Sequence, residues 1–300
     1  MALLIGASGT SCLSRVATRQ LTHLHALSHV AACLCRCASH GFQMLRYSLN
    51  DAAAEMAPPA LCCTALHQFV NSSAPDLEMP FGALKMLFAL HSRVLASVTA
   101  SEGASLSKSA WVVVLQCAAT CCRDRRSAVQ HRALVLLQCM LLDKTASGFK
   151  PTEWQAILQE HVFPLAQALA AAGAEAGGTG AQELALVVGL LSEFFSQRVQ
   201  ALAALPTFHE VWTAYIRIVG GCLKLSPSVT ESTEGVAQFG AVMRHLRVAG
   251  VFDKGADSIG AEMEVLTWAE VDEIREDIAK ALRRVGEEGA SSASAGAMSL

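Results

Sequence analysis

Apolar residues recur at three- and four-residue intervals along most of this chain, most densely between Trp111 and Leu142. There Trp111, Leu115, Ala118, Ala119 and Cys122 make one stripe at helical spacing, and Val129, Ala133, Leu136, Leu137, Met140 and Leu141 make another. The pattern predicts two helices joined by a tight turn at Arg123-Asp124. Asp124 is expected to cap the second helix, its carboxylate accepting a first-turn N–H, worth about 1 kcal/mol. Such a pair is apolar on more faces than it can bury alone. It needs neighbours on both sides, as the units of a stacked helical repeat do.

The rest of the chain supplies them. Pro58-Pro59 breaks the pattern, and a helix over Leu61–Val70 follows, ended by the turn-formers from Asn71 to Pro75. Phe81, Leu84, Leu87, Phe88, His91 and Leu95 outline a helix to about Thr99, and SEGASLSKS reads as a polar linker to Trp111. Thr152 with Gln155, Thr207 with Glu210 and Thr267 with Glu270 each fit a capping box, so three helices are expected to start there. Trp154, Ile157, Leu158 and Val162 begin the first, which Pro164 should end or kink. Phe208, Val211, Trp212, Tyr215, Ile216 and Val219 make the cleanest stripe, and Trp268, Val271, Ile274, Ile278 and Leu282 the last. GAEAGGTG (173–180) reads as a loop. A helix passes through Leu184, Val187, Leu191, Phe194 and Phe195, and a weaker one through Val236 to Arg247.

The expectation is an all-α chain of roughly ten helices stacked as antiparallel pairs. The helical-repeat domain is placed over residues 59–285, after an N-terminal segment (1–58). From Gly286 the tail (286–300) has too little apolar area to offset ordering entropy and is expected to be disordered.

Composition agrees: the 300 residues are 52% hydrophobic, 16% charged and 6% aromatic, rich in the small and unbranched residues that favour helix-on-helix packing. A net charge of −3 gives no strong attraction to nucleic acid. No uninterrupted apolar run is long enough for a membrane span. The 11 cysteines, an odd number, read as reduced and buried thiols. Residues 1–50 hold Arg15, Arg19, Arg36 and Arg46 but no Asp or Glu. That is either the composition of an organellar transit peptide or a repeat helix with Leu21, Leu24, Ala31 and Cys35 on its buried face.

Candidate chemistry is sparse. His25 and His29 lie one helical turn apart, but Cys33, Cys35 and Cys37 alternate and would diverge on a helix, so no metal set results. Gly6-Ala-Ser-Gly9 lacks the lysine of a phosphate loop. Cys121 and Cys122 adjoin Arg123 and Arg125, which lower a thiol pKa, yet they sit on a helix expected to be packed. Arg123, Arg125 and Arg126 lie at a helix N-terminus, where cations oppose the dipole and call for an acidic partner, such as an Asp of a neighbouring repeat. The acidic residues Glu262, Glu264, Glu270, Asp272, Glu273, Glu276 and Asp277 read as a solvated face, with Arg275 and Lys280 as partners, or else as a binding surface for a basic partner. No catalytic residue and no cofactor follow from the sequence.

The run Trp111-x-x-x-Leu115-Gln116, Cys122-x-Asp124-x-Arg126-x-x-Val129, Ala133-Leu134-x-x-Leu137-Gln138 resembles the C-terminal helical region of large guanine nucleotide exchange factors for ADP-ribosylation-factor (ARF) GTPases. The class is the Golgi brefeldin-A-resistance and GNOM type. Trp154 with Val162-Phe163-Pro164-Leu165, Phe208-x-x-x-Trp212 and Leu266-Thr267-Trp268-x-x-Val271-Asp272 continue the likeness in order, and Leu90-His91-Ser92-Arg93 precedes it. Trp111, Asp124, Arg126, Val129, Trp154, Pro164, Trp212 and Trp268 form its structural signature. Gln130 stands where the family usually has an arginine, so an inter-repeat Asp–Arg bond is either missing or made by Arg132 or Arg126. The resemblance implies a HEAT/armadillo-like superhelix without the Sec-seven catalytic domain, and a role in membrane recruitment, protein contacts and regulation. Implied partners are small GTPases, other parts of a longer exchange factor or a second copy, at the cytoplasmic face of Golgi membranes. The alternative is a freestanding HEAT-like protein-interaction scaffold, organelle-targeted if residues 1–50 are a transit peptide.

Overall fold

The structure, a computed structural model, describes residues 42–43, 58–71, 77–100, 104–175, 181–225, 229–248, 250–252, 259–273, 276, 279–281 and 283–284. Among these residues every regular element is helical, and ten α-helices pack on their neighbours in a repeat-like arrangement. The chain divides into two compact units, residues 1–124 and 125–300. The N-terminal acid-free segment to residue 41 and the tail from residue 285 lie outside the described residues.

The first unit holds α1 (Pro59–Val70), α2 (Glu78–Ala100) and α3 (Ala104–Cys121), each packed on the other two. Their shared core is Leu66 and Phe69 from α1, Leu87, Leu90 and Val94 from α2, and Trp111, Leu115 and Ala118 from α3. Burying side chains of this size stabilises by about 1.5–3 kcal/mol each for the larger ones, which is what holds three individually marginal helices in place. Phe42 packs edge-on against Phe69 at 5.3 Å. It also fills the space over Gly82, where a Cβ would lie 2.5 Å from its ring.

The second unit holds α4 (Ser127–Leu141), α5 (Pro151–Ile157), α6 (Phe163–Glu175), α7 (Ala181–Ala203), α8 (Phe208–Leu225), α9 (Val229–Val248) and α10 (Ile259–Asp272). It is built in two layers. One runs α4–α7–α9 and the other α6–α8–α10, each helix packed on the next, while α5 and α6 lean on α7 and α7 leans on α8 across the layers. Gly235 permits the approach of α9, because a Cβ there would come within 2.7 Å of Leu223 and 3.4 Å of Val188. Gly250 closes α9 with the one positive φ (72°) among the described residues, donating its N–H to Arg247 O while Val251 N–H reaches back to Leu246 O. That pair of bonds satisfies carbonyls the helix end would otherwise leave open.

Both central stripes are buried as their spacing requires, Trp111, Leu115, Ala118 and Cys122 in the first and Val129 through Leu141 in the second, with Ala119 at the margin. Several element boundaries differ from the sequence expectation. Asp124 is not the residue at the head of α4: Arg126 precedes the first helical residue, and its side chain makes no cap. Asp124 instead belongs to the closing turn of α3, its N–H bonded to Cys121 O. The stretch read as a linker before Trp111 is helical from Ala104, since Ala, Leu and Lys are good helix formers and outweigh the serines.

The helix expected from Thr152 starts at Pro151, which has no N–H to satisfy and carries a helical φ already. Glu153 then reaches back to accept from Lys150 N–H at 2.5 Å. Pro164 neither ends nor breaks this segment, because α5 passes into α6 through a π turn (Leu158–Val162) in which Phe163 N–H bonds to Leu158 O. The wider turn accommodates a ring and a missing donor that a regular α-turn would not. Thr207 does immediately precede α8, but its hydroxyl donates to Gln155 Oε1 at 2.9 Å. Thr267 lies inside α10, fully buried, and starts nothing. Of the stripe drawn beyond it, Val271 is buried, while Ile274, Ile278 and Leu282 lie outside the described residues. The loop expected at 173–180 is helical as far as Glu175.

Candidate interaction surface

The signature residues are distributed along both units. Trp111 is wholly buried and donates its indole N–H to His91 Nδ1 at 2.9 Å, joining α3 to α2. Trp212 donates to Thr267 Oγ1 at 2.8 Å, and that hydroxyl donates in turn to Met263 O at 2.7 Å, joining α8 to α10. Trp154 is buried with Phe149 at 5.1 Å and Phe194 at 5.3 Å. The Arg198 guanidinium lies 4.0 Å above the Trp154 ring. Val129 is fully buried, Pro164 and Arg126 are half-buried, and the half-buried Trp268 has Arg283 5.5 Å over its ring. These side chains hold helices together.

From Trp154 the rings continue as a seam through Phe194, Phe195, Tyr215 and Phe239, with Trp212 beside Tyr215 at 5.0 Å. Offset and edge-on contacts of this kind add about 0.5–1.5 kcal/mol each beyond burial. Tyr215 bonds Ser192 Oγ at 3.0 Å, and complete burial pushes its phenol pKa up. Burial also raises Cys122, against a smaller opposing effect of Arg123. Cys121 and Cys122 are both packed away. Among the described residues no group of His, Cys, Asp or Glu could hold a metal ion. His25, His29, Cys33, Cys35, Cys37 and Gly6–Gly9 lie outside them.

A shallow surface of mixed polar and apolar character forms where α6 and α8 run side by side. Gln167 of α6 and His209, Glu210, Thr213, Ala214 and Arg217 of α8 line a shallow cleft of about 400 Å³. Arg217 Nε donates to Glu270 Oε1 of α10 at 2.8 Å, and that carboxylate holds its guanidinium firmly charged. The acidic stretch is more completely paired than the sequence suggests. Glu264 meets Arg247 at 3.3 Å, Asp272 meets Arg283, and Glu276 meets Lys280 at 2.6 Å. Arg217 lies 53 residues from its partner, Arg247 17 and Arg283 11, all beyond the three- and four-residue spacing of helix neighbours. The cleft offers hydrogen-bond and ionic groups of both signs on a ridge of helices. Such an open surface, apolar over much of its lining with polar and charged groups among it, suits side chains of a protein partner better than an enclosed small molecule.

Paired helices packed in two layers define an α-helical repeat scaffold. Residues 111–278 match the family described as "GBF1-like, tetratrico peptide repeat region", and the chain belongs to that family. It is therefore a helical scaffold related to ARF guanine nucleotide exchange factors, and the matched region is a repeat and not a catalytic domain. No solved structure matches the chain. The helix pairs of the second unit begin at Ser127, Ala181 and Val229, 54 and 48 residues apart. This exceeds the ~34 residues of a tetratricopeptide unit and lies nearer the ~40–47 of a HEAT or armadillo unit. No helix among the described residues is long and apolar enough to cross a membrane.

Proposed function

We propose that this chain is a non-catalytic regulatory and scaffolding region of an ARF guanine nucleotide exchange factor. In this reading it supports ARF activation and Golgi vesicle transport through membrane recruitment and protein contacts. The observation that carries the reading is the family match over residues 111–278, which falls on the same collinear motifs as the exchange-factor resemblance. The partners are small GTPases, other parts of a longer exchange factor or a second copy of the chain, met at the cytoplasmic face of the Golgi. The α6–α8 cleft, with Arg217 and Glu210 at its rim, supplies the contact surface.

The test is localisation of a fluorescent fusion of the whole chain in cells, beside a variant carrying Glu210→Lys and Arg217→Glu. Concentration at Golgi membranes is expected for the native chain, and a diffuse signal for the variant at unchanged helical circular dichroism. A diffuse signal from the native chain refutes the recruitment role. Golgi concentration of both chains refutes the cleft as its surface.

A further inference from the structure

Thr64, Ser92, Thr120 and Thr213 lie inside helices, and their hydroxyls donate to carbonyls four residues back in the same helix. Ser127 is placed differently. It is exposed, it is the first residue of α4, and its hydroxyl donates out of that helix to Glu183 Oε1 of α7 at 2.7 Å. Residues 122–126 before it are non-helical, Arg126 has an extended backbone, and Arg125 is exposed. Arg125 and Arg126 directly precede the serine, and Arg123 stands two residues further back in the sequence.

We propose that Ser127 is a phosphorylation site for a protein kinase that selects basic sequences, and that its phosphate unlatches the head of α4 from α7. The extended, exposed run offers cations at fixed places before the acceptor hydroxyl, a charge pattern by which kinases choose substrates. The Ser127 oxygen attacks the γ-phosphorus of ATP, and the bond from that phosphorus to the bridging oxygen breaks. ADP leaves with the electron pair, and the hydroxyl proton passes to the catalytic carboxylate of the kinase.

The phosphate gains on one side and loses on the other. The head of α4 has no capping side chain and no acid in its first turn, so an anion there meets the positive end of the helix dipole. Glu183, 8% exposed in the first turn of α7, loses the donor that joined it to α4. In place of a neutral hydroxyl it faces a group carrying a charge of about −1.5 to −2. Two anions so close, one of them buried, repel far more strongly than they would in water. The first turns of α4 therefore part from α7. The link between Gln138 and Glu193 at 3.3 Å lies about three turns further along α4 and still holds its other end.

The experiment incubates the full chain with ATP and, in separate reactions, the catalytic subunits of cyclic-AMP-dependent protein kinase and protein kinase C. Phosphopeptides are then mapped by mass spectrometry. Phosphate on Ser127 is expected in at least one reaction, absent in Ser127→Ala and reduced in Arg125→Ala. Amide hydrogen exchange compares the phosphorylated and unmodified chains at Val129 to Ala133. Exchange there should be faster on the order of tenfold, as the loss of one hydrogen bond to a charged group requires. In Glu183→Gln the side chain carries no charge and its amide can donate to the phosphate, so phosphorylation should leave exchange in α4 nearly unchanged. A Ser127 peptide recovered without phosphate from both reactions overturns the site. Phosphorylation with unchanged exchange, or with the same gain in Glu183→Gln, overturns the latch. Mapping and exchange on the native chain decide both points even where Glu183→Gln does not fold.

Discussion

Replacing Thr267 with valine tests the buried link between α8 and α10. The two side chains have nearly the same shape and similar helix propensity, so the change opens no cavity and barely alters the helix. What it removes is the oxygen that accepts from Trp212 Nε1 at 2.8 Å. Thr267 is fully buried and Trp212 is 1% exposed, so no water replaces the lost acceptor. An orphaned donor at such a site costs about 1–3 kcal/mol. Relief from burying the threonine hydroxyl offsets part of this, while Met263 O keeps its partner in the helix ladder. The net expectation is a loss of about 1–2 kcal/mol, or a melting temperature lower by about 2–4 °C per kcal/mol for a unit of this size. Urea titration followed at the helical circular dichroism band reads it, with an unchanged m-value as the control for cooperativity. A double-mutant cycle with Trp212→Phe isolates the bond: once the donor is gone, Thr267→Val should cost almost nothing further. A single variant as stable as the native chain, or additive losses in the cycle, would refute the assignment of Thr267 as a buried acceptor.

Trp111→Ala should cost about 3–5 kcal/mol by denaturation, through the cavity it opens and the loss of its bond to His91. Arg198→Met should lie within about 1 kcal/mol of native. The lost ring contact is worth about 0.5–1 kcal/mol, and the variant removes a buried Nε that has no acceptor. Stability should fall as pH rises above 9, because burial raises the Cys222 thiol from 9.0 to about 12, and Cys62 and Cys122 shift the same way. In that window the unfolded chain releases protons the folded chain keeps, so each such group removes about 1.4 kcal/mol per pH unit, and Cys222→Ala should flatten the slope. The purified chain should not accelerate nucleotide release from an ARF GTPase, and measurable exchange at micromolar protein would reveal a catalytic surface.

The helices were legible because burial here follows helical spacing closely. In α8 the six residues of the predicted stripe are all buried. The boundaries were harder, since a Thr-x-x-Glu string is the same whether its threonine caps a helix or lies inside one. At Thr207 the helix follows, while at Thr267 the hydroxyl turns back to Met263 O, four residues earlier. The aspartate that does cap an element, Asp143, accepts from the N–H and hydroxyl of Thr145 before a short 3-10 turn. Its Asp-Lys-Thr signal was present in the sequence. The cleft was not legible at all. Gln167 and Arg217 come to line one cleft only after α6 and α8 have packed.

The π turn at Leu158–Val162 bears on where this chain can vary in length. A π turn closes over five residues where an α-turn closes over four, so it takes up one extra residue while the helix on either side keeps its facing. Removing a single residue there would restore ordinary α-helical winding and leave Leu165, Ala166 and Leu169 on the buried side and Gln167 on the exposed one. The cost of that deletion falls on Pro164, whose ring would then meet a carbonyl of the preceding turn. A one-residue deletion in the regular winding of α6 has no such slack and would turn every later position of that helix by about 100°, so length variants should be better tolerated between residues 158 and 162 than within the body of α6.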